Sequence, residues 1–403
     1  MKASERLLKY AVIYTGSDED HAEQTPSTPE QMTLAQVLAK DMRDIGLTDV
    51  SVDAHAYVYG FLPATAGREQ CPPIGFIAHI DIVNEFGTSE IHPQIIKEYD
   101  GGEIALGTSG RTLDTVQFPD LKEAVGKTVI TTDGTTVLGA DDKAGVAEIL
   151  TMCERLVQDN LPHGKICVCF TPDEEIGHGA ALLDLEKFGA SYAYTVDGGA
   201  PNEVEWETFY AAAADWSIAG VSVHPGDAKD KMVNAALVAM EINGMLPPDE
   251  IPAKTQGREG FFHLCDMSGD VSAAKLSYII RDHDAEKFSQ RKQTMREIER
   301  KINETYGAGT ATLTLREQYR NMAEILQHHP DVVERAKRAI RAVGLTPVSN
   351  PVRGGTDGAQ LSFRGLPCPN LGTGAYALHG PYEHAIAEQM DVVTEILLHI
   401  AQA

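Results

Sequence analysis

The stretch TPDEEIGHG, residues 171–179, follows the apolar run KICVCF and carries three carboxylates in a row, Asp173, Glu174 and Glu175. Clustered negative charge at the end of a buried strand is unfavourable unless it is protonated or meets a cation. Residues of the same kind recur after other apolar runs: His79 and Asp81 in HID, Asp141 in GADDKAG, and Asp197 in YTVDGG. Taken singly, each reads as a hydrogen-bonded structural group. Together they outnumber the nearby lysines and arginines, and the set points to bound metal. Imidazole and carboxylate donors without thiolate suit Zn²⁺, Mn²⁺ or Co²⁺. Two such ions can share a bridging carboxylate at about 3.5–4 Å and activate a water, which then needs a base. Adjacent residues leave a strand end in different directions, so the glutamates divide the work. Glu175 is expected to bind metal and Glu174 to face the water as general base.

The elements that must position these residues show in the apolar pattern. PIGFIAHID, KICVCFTPDEE and SYAYTVDGG read as buried strands with polar residues arriving at their C-terminal ends. TTVLGADDKAGVAEILTMCERL gives a short apolar run, a glycine turn and a helix beginning near Asp141–Asp142. Strands alternating with helices predict an α/β fold, an open, mostly parallel sheet flanked by helices. Ligands collect at the C-terminal strand ends of such sheets, where these residues fall. The N-terminal MKASERLLKYAVIYT reads as an amphipathic helix, and Thr28-Pro29-Glu30-Gln31 as a helix start with Thr28 as N-cap and Gln31 closing a capping box. From about residue 208 the texture changes. TFYAAAADWSIAGVSV suggests paired alternating strands, a helix follows over 230–245, and strand, charged helix and strand come next. The β-α-β-β-α-β order predicts a smaller α+β domain over 208–320, inserted into a catalytic domain built from 1–207 and 321–403. Helical periodicity over 388–401 closes the chain.

Composition narrows the function. Asp+Glu is 59 against Lys+Arg 34, a formal charge of −25, which repels a phosphate backbone and argues against a nucleic-acid partner. No apolar run reaches membrane-spanning length, and the N-terminus lacks a secretory pattern, so a cytoplasmic protein without a membrane partner is expected. The six cysteines fit neither a zinc ribbon nor a disulfide framework. Cys167 and Cys169, two apart in a strand, read as small buried hydrophobes.

HID, GADDKAG, TPDEEIGHGA, YTVDGG, VHPGDAKDKMVNA, RGGTDGAQLS and LPCPNLGTG with the later HG span most of the chain. In combination they resemble the co-catalytic di-zinc peptidases, the family that includes carboxypeptidase G and aminoacylase. The resemblance implies that His79 and Asp197 bind a first metal, that Asp141 bridges, and that Glu175 and His379 bind a second. It implies Glu174 as base, Asp81 as the hydrogen-bond partner of His79, and a cis peptide between Asp141 and Asp142. In the inserted domain, which would act as a lid, His224 matches an oxyanion-stabilising histidine. Asn234, Arg281 and Arg353 match residues that gather the substrate's terminal carboxylate. His384, in the same ALHGPYEHA stretch as His379, reads as an ordinary helix-start residue. Ile82 stands where threonine is usual, and RDHD brings an extra histidine, His283. The implied activity is removal of the N-terminal residue from short peptides, most of all tripeptides, with two Zn²⁺ per subunit. Dipeptidase or N-acyl-amino-acid deacylase activity is the alternative, and a homodimer is compatible with the family.

Overall fold

The computed structural model describes residues 1–403 apart from 85 and 87–89. Two compact units separate in it. The first comprises Met1–Trp206, Met322–Asn350 and Thr356–Ala403; the second comprises Glu207–Asn321 with Pro351–Gly355.

The first unit is built on a seven-stranded sheet. Its centre is four parallel strands in the spatial order Ile166–Thr171, Ile74–His79, Tyr192–Gly198 and Asn370–Gly372. Thr48–Val52 and Val58–Leu62 add antiparallel strands on one side, and Val204–Glu205 on the other. The three strands whose ends carry the acidic residues are therefore immediate neighbours. They are buried along nearly their whole length, which is why they read as continuous apolar runs. Phe76 and Tyr194, both fully buried, stack at 6.1 Å on adjacent strands. Cys167 and Cys169 lie buried in one apolar cluster with Tyr57, Tyr59 and Phe188.

The helix Ala140–Gln158 lies against the sheet with its first turn beside Asp197. Gly145 permits that approach: a Cβ there would sit 1.9 Å from the Val196 carbonyl. The backbone is not helical at Asp141 and Asp142, and the peptide between them is cis. A small antiparallel sheet of Pro93–Ile96, Val129–Thr132, His384–Ile386 and Ala375–Tyr376 carries the chain past His379. His384 is thus a strand residue, not a helix start. It is fully buried, with its Nε2 2.6 Å from Asp120 Oδ2, and the helix begins at Ala387.

The expected capping box also dissolves. Thr28 bonds the Gly16 carbonyl, Pro29 takes the N-cap position of Glu30–Ile45, and Gln31 is buried against Asp173. In the second unit the order is β-α-β-β-α-β, but Tyr210–Ala219 is one strand at the centre of a four-stranded sheet rather than a pair. The extra strand is Phe261–Gly269. Its outer residues are exposed, so it lacks the apolar alternation that marks a half-buried strand.

Candidate metal centre

His79, the last residue of its strand, is buried, and its ring is held from one side. Its Nδ1 lies 3.1 Å from the carbonyl of Asp81 and 3.3 Å from the Asp81 carboxylate. Its Nε2 faces the other way, 2.9 Å from Asp141 Oδ1 and 3.5 Å from Asp197 Oδ1. His379 Nε2 lies 2.9 Å from the other Asp141 oxygen and 3.2 Å from Glu175 Oε2. Two groups of potential ligands result, His79–Asp141–Asp197 and Asp141–Glu175–His379, each with its donor atoms within 4.8 Å of one another. Asp141 belongs to both. Glu174 belongs to neither.

Backbone contacts hold this arrangement. The carboxylate of Asp81 accepts the Glu174 amide at 3.0 Å and the Glu175 amide at 3.1 Å. Its principal partners are these two amides, with His79 the more distant contact. Asp142 accepts the amides of His79 and Gly145, joining a strand end to the helix start. Asp173 is gripped by Ser27 and by Gln31, whose Nε2 donates at 2.6 Å. Glu383 and Asp357 are acidic residues that sequence reasoning missed. Glu383 accepts three loop amides around Asp141. Asp357, in RGGTDG, accepts a hydrogen bond from Thr171, and its Oδ1 is buried without a partner. The only sequence signal for either was an acidic residue inside a longer motif, RGGTDG for Asp357 and HGPYEH for Glu383.

The electrostatics follow from packing acids together out of water. Burial, reinforced by Asp197, holds Glu174 well above the usual carboxylate range. Burial and the charge on Asp141 push Glu175 up to about 11 and Asp197 up to about 7. Burial works against the His79 imidazolium, yet Asp197, Asp141 and Asp81 carry its pKa well above the ordinary value. Asp141 goes the other way: hydrogen bonds from His379 and His79 overcome burial and keep it ionised. Such a cluster takes up either protons or a multivalent cation. The donors fit a cation. They are two imidazole nitrogens and carboxylate oxygens, and Glu175 Oε1 is buried without any hydrogen-bond partner.

The other predicted site residues belong to the second unit. His224 is exposed, and its Nδ1 accepts the Gly226 amide. Asn234 caps the helix Ala235–Gly244 through its Oδ1. Arg281 is buried, donates to Gln318 at 2.9 Å, and lies over the Tyr319 ring; no carboxylate stands within ion-pair distance of it among the described residues. Asp282 pairs with Arg291, and Asp284 caps the following helix, so neither neutralises Arg281. Arg353 groups with the second unit rather than the first. Its guanidinium donates to the carbonyls of Gly257 and Glu259 and to Thr255, and it lies over Phe209 and Phe261. The extra histidine, His283, is buried against Phe209 and bonds the Val352 carbonyl.

Known proteins are similar to this chain in sequence and in fold. The family model described as peptidase family M20/M25/M40 matches residues 113–403. A Clostridium perfringens protein named peptidase T is 48% identical over 400 residues, which cover 99% of this chain and 98% of that protein. A Vibrio parahaemolyticus peptidase T is 46% identical over 399 residues, covering 99% and 97%. The crystal structure of aminopeptidase PepT from Bacillus cereus superposes with a TM-score of 0.78 at 26% identity, covering 100% of this chain and 97% of that one. The chain belongs to peptidase family M20/M25/M40.

Proposed function

We propose that the chain is a tripeptide aminopeptidase that works with two divalent cations, zinc above others, in the groups His79–Asp141–Asp197 and Asp141–Glu175–His379. The observation that carries this is the sharing of Asp141: one carboxylate, with a histidine on each oxygen, joins two ligand sets. Cations held there would lower the pKa of a water and polarise the scissile carbonyl. Glu174 is the general base. It stands outside both ligand groups, its backbone is fixed by Asp81, and its carboxylate takes the proton of the attacking water and returns it to the leaving amine. Asp81 keeps His79 turned so that Nε2 is the ligating nitrogen. His224 supplies an oxyanion donor, and Asn234 helps seat the substrate.

Arg281 or Arg353 meets the peptide's terminal carboxylate. Each already donates to three groups of its own unit, and among the described residues neither has an acidic partner; Arg281 is the more deeply buried, and burial lowers its pKa. Activity toward a free tripeptide, its N-acetylated form and its C-terminal amide tests the reading. The free peptide is cleaved, and the acetylated form is not. The amide loses at least about tenfold in kcat/KM, the cost of leaving a buried arginine without its charge-assisted partner. Preferential cleavage of the acetylated peptide would instead establish a deacylase.

A further inference from the structure

We propose that Glu383 is a positioning residue that ties the two halves of the metal centre together. The inference rests on the metal-binding reading above. Glu383 is 1% exposed and lies four residues beyond His379. Its Oε2 accepts the amides of Leu138 at 2.7 Å and Gly139 at 2.9 Å, and its Oε1 accepts the amide of Asp141 at 2.9 Å. Its own backbone is fixed as well. The Thr131 hydroxyl donates to its carbonyl at 2.9 Å, and its amide donates to the Gly380 carbonyl at 3.1 Å. A single side chain therefore binds the loop that carries the shared ligand Asp141 to the segment that carries His379. These two ligands are 238 positions apart in sequence, and the His379 side chain is half exposed. Without Glu383 the loop 138–141 and the segment 379–383 lose a three-bond link, and the separation of Asp141 from His379 is no longer set. A carboxylate suits the task because its two oxygens accept all three amides at once, and an amide side chain has only one accepting oxygen.

The effect should appear in metal affinity. Partners that orient metal ligands typically matter by about 10–100-fold in affinity. Zinc binding is measured by competition with a chromophoric chelator on the folded parent, Glu383→Gln, Glu383→Asp and Glu148→Gln, with His379→Ala identifying the constant of the second group. Glu148 is a control: a buried carboxylate of the helix Ala140–Gln158 with no hydrogen-bond partner at either oxygen. The expected result is at least a tenfold rise in the second group's Kd in both Glu383 variants, with Glu148→Gln unchanged. Unchanged zinc affinity in a folded Glu383 variant, or equal weakening in Glu148→Gln, would overturn the proposal. Hydrogen exchange of the metal-free parent decides the matter even if neither variant folds. Slow exchange at the amides of Leu138, Gly139 and Asp141 is expected, and exchange at the rate of an open loop would refute the grip. Failure of the parent to bind zinc would instead remove the metal-centre reading itself.

Discussion

Two histidines five residues apart show how far position alone decides chemistry. His379 presents its Nε2 to Asp141 and Glu175 from a half-exposed turn. His384 spends its Nε2 on Asp120 inside a packed cluster with Tyr376 and Phe118. His379→Ala should therefore lower bound metal toward one equivalent while the fold survives. His384→Ala should keep its metal but lose about 1–3 kcal/mol of stability, since it strands a partly buried carboxylate. Metal analysis and urea unfolding on both variants separate the two, and a metal-deficient His384→Ala would reverse the assignment. Nothing in local periodicity distinguished these residues. His379 sits in a left-handed turn at φ 60° between very short strands, and only its resemblance to a family motif marked it.

At the scale of elements, the positioning of the Glu174–Glu175 pair depends on a helix far away in sequence. Gln31, in the first turn of Glu30–Ile45, donates to Asp173 and accepts its amide, just before the paired glutamates. Gln31→Leu should cost about 1–3 kcal/mol because it leaves the buried Asp173 carboxylate short of a donor. It should also lower kcat, because the turn that aims Glu174 loosens; unchanged kcat in a destabilised variant would show that the turn holds without it. The local sequence pointed to a capping box because Thr-Pro-Glu-Gln satisfies that pattern. A buried acceptor 142 residues on claimed the glutamine instead. The strand ends that carry His79, Glu174, Glu175 and Asp197 were legible, because a polar residue directly after a buried run stands out. Glu383 was not. Its partners are backbone amides more than 240 positions away, which leave no local trace.

The whole molecule concentrates carboxyl groups where the sheet ends, and that has a thermodynamic consequence. Burial raises Asp197 and Asp357 to about 7 and Glu383 to about 6, from ordinary values of 3.8, 3.8 and 4.5. In the metal-free protein these groups bind protons that the unfolded chain has already released. Stability must then fall as pH rises from about 5 to about 7, since the native state holds the larger number of protons. A cation bound at Asp197 and its neighbouring ligands would take the place of the proton there, so saturating zinc should weaken the dependence. Thermal unfolding should show the metal-free Tm falling by at least about 3 °C across that window, with a smaller fall in the zinc-loaded protein. A metal-free Tm that climbs with pH would mean that the cluster is not proton-loaded. The acidic surplus legible in the composition, a net charge of −25, did not by itself locate this cluster; the order of the parallel strands did.

In the proposed mechanism Glu174 moves the proton while Glu175 and its neighbours hold metal. Glu174→Gln separates the two roles when metal content and turnover are measured on the same preparation. Two equivalents of metal should remain, because Glu174 lies in neither ligand group, while kcat on a free tripeptide falls by about 10²–10⁴-fold. Parental turnover in the fully metallated variant would show that Glu174 is not the base, and loss of a metal equivalent from it would show that Glu174 is a ligand.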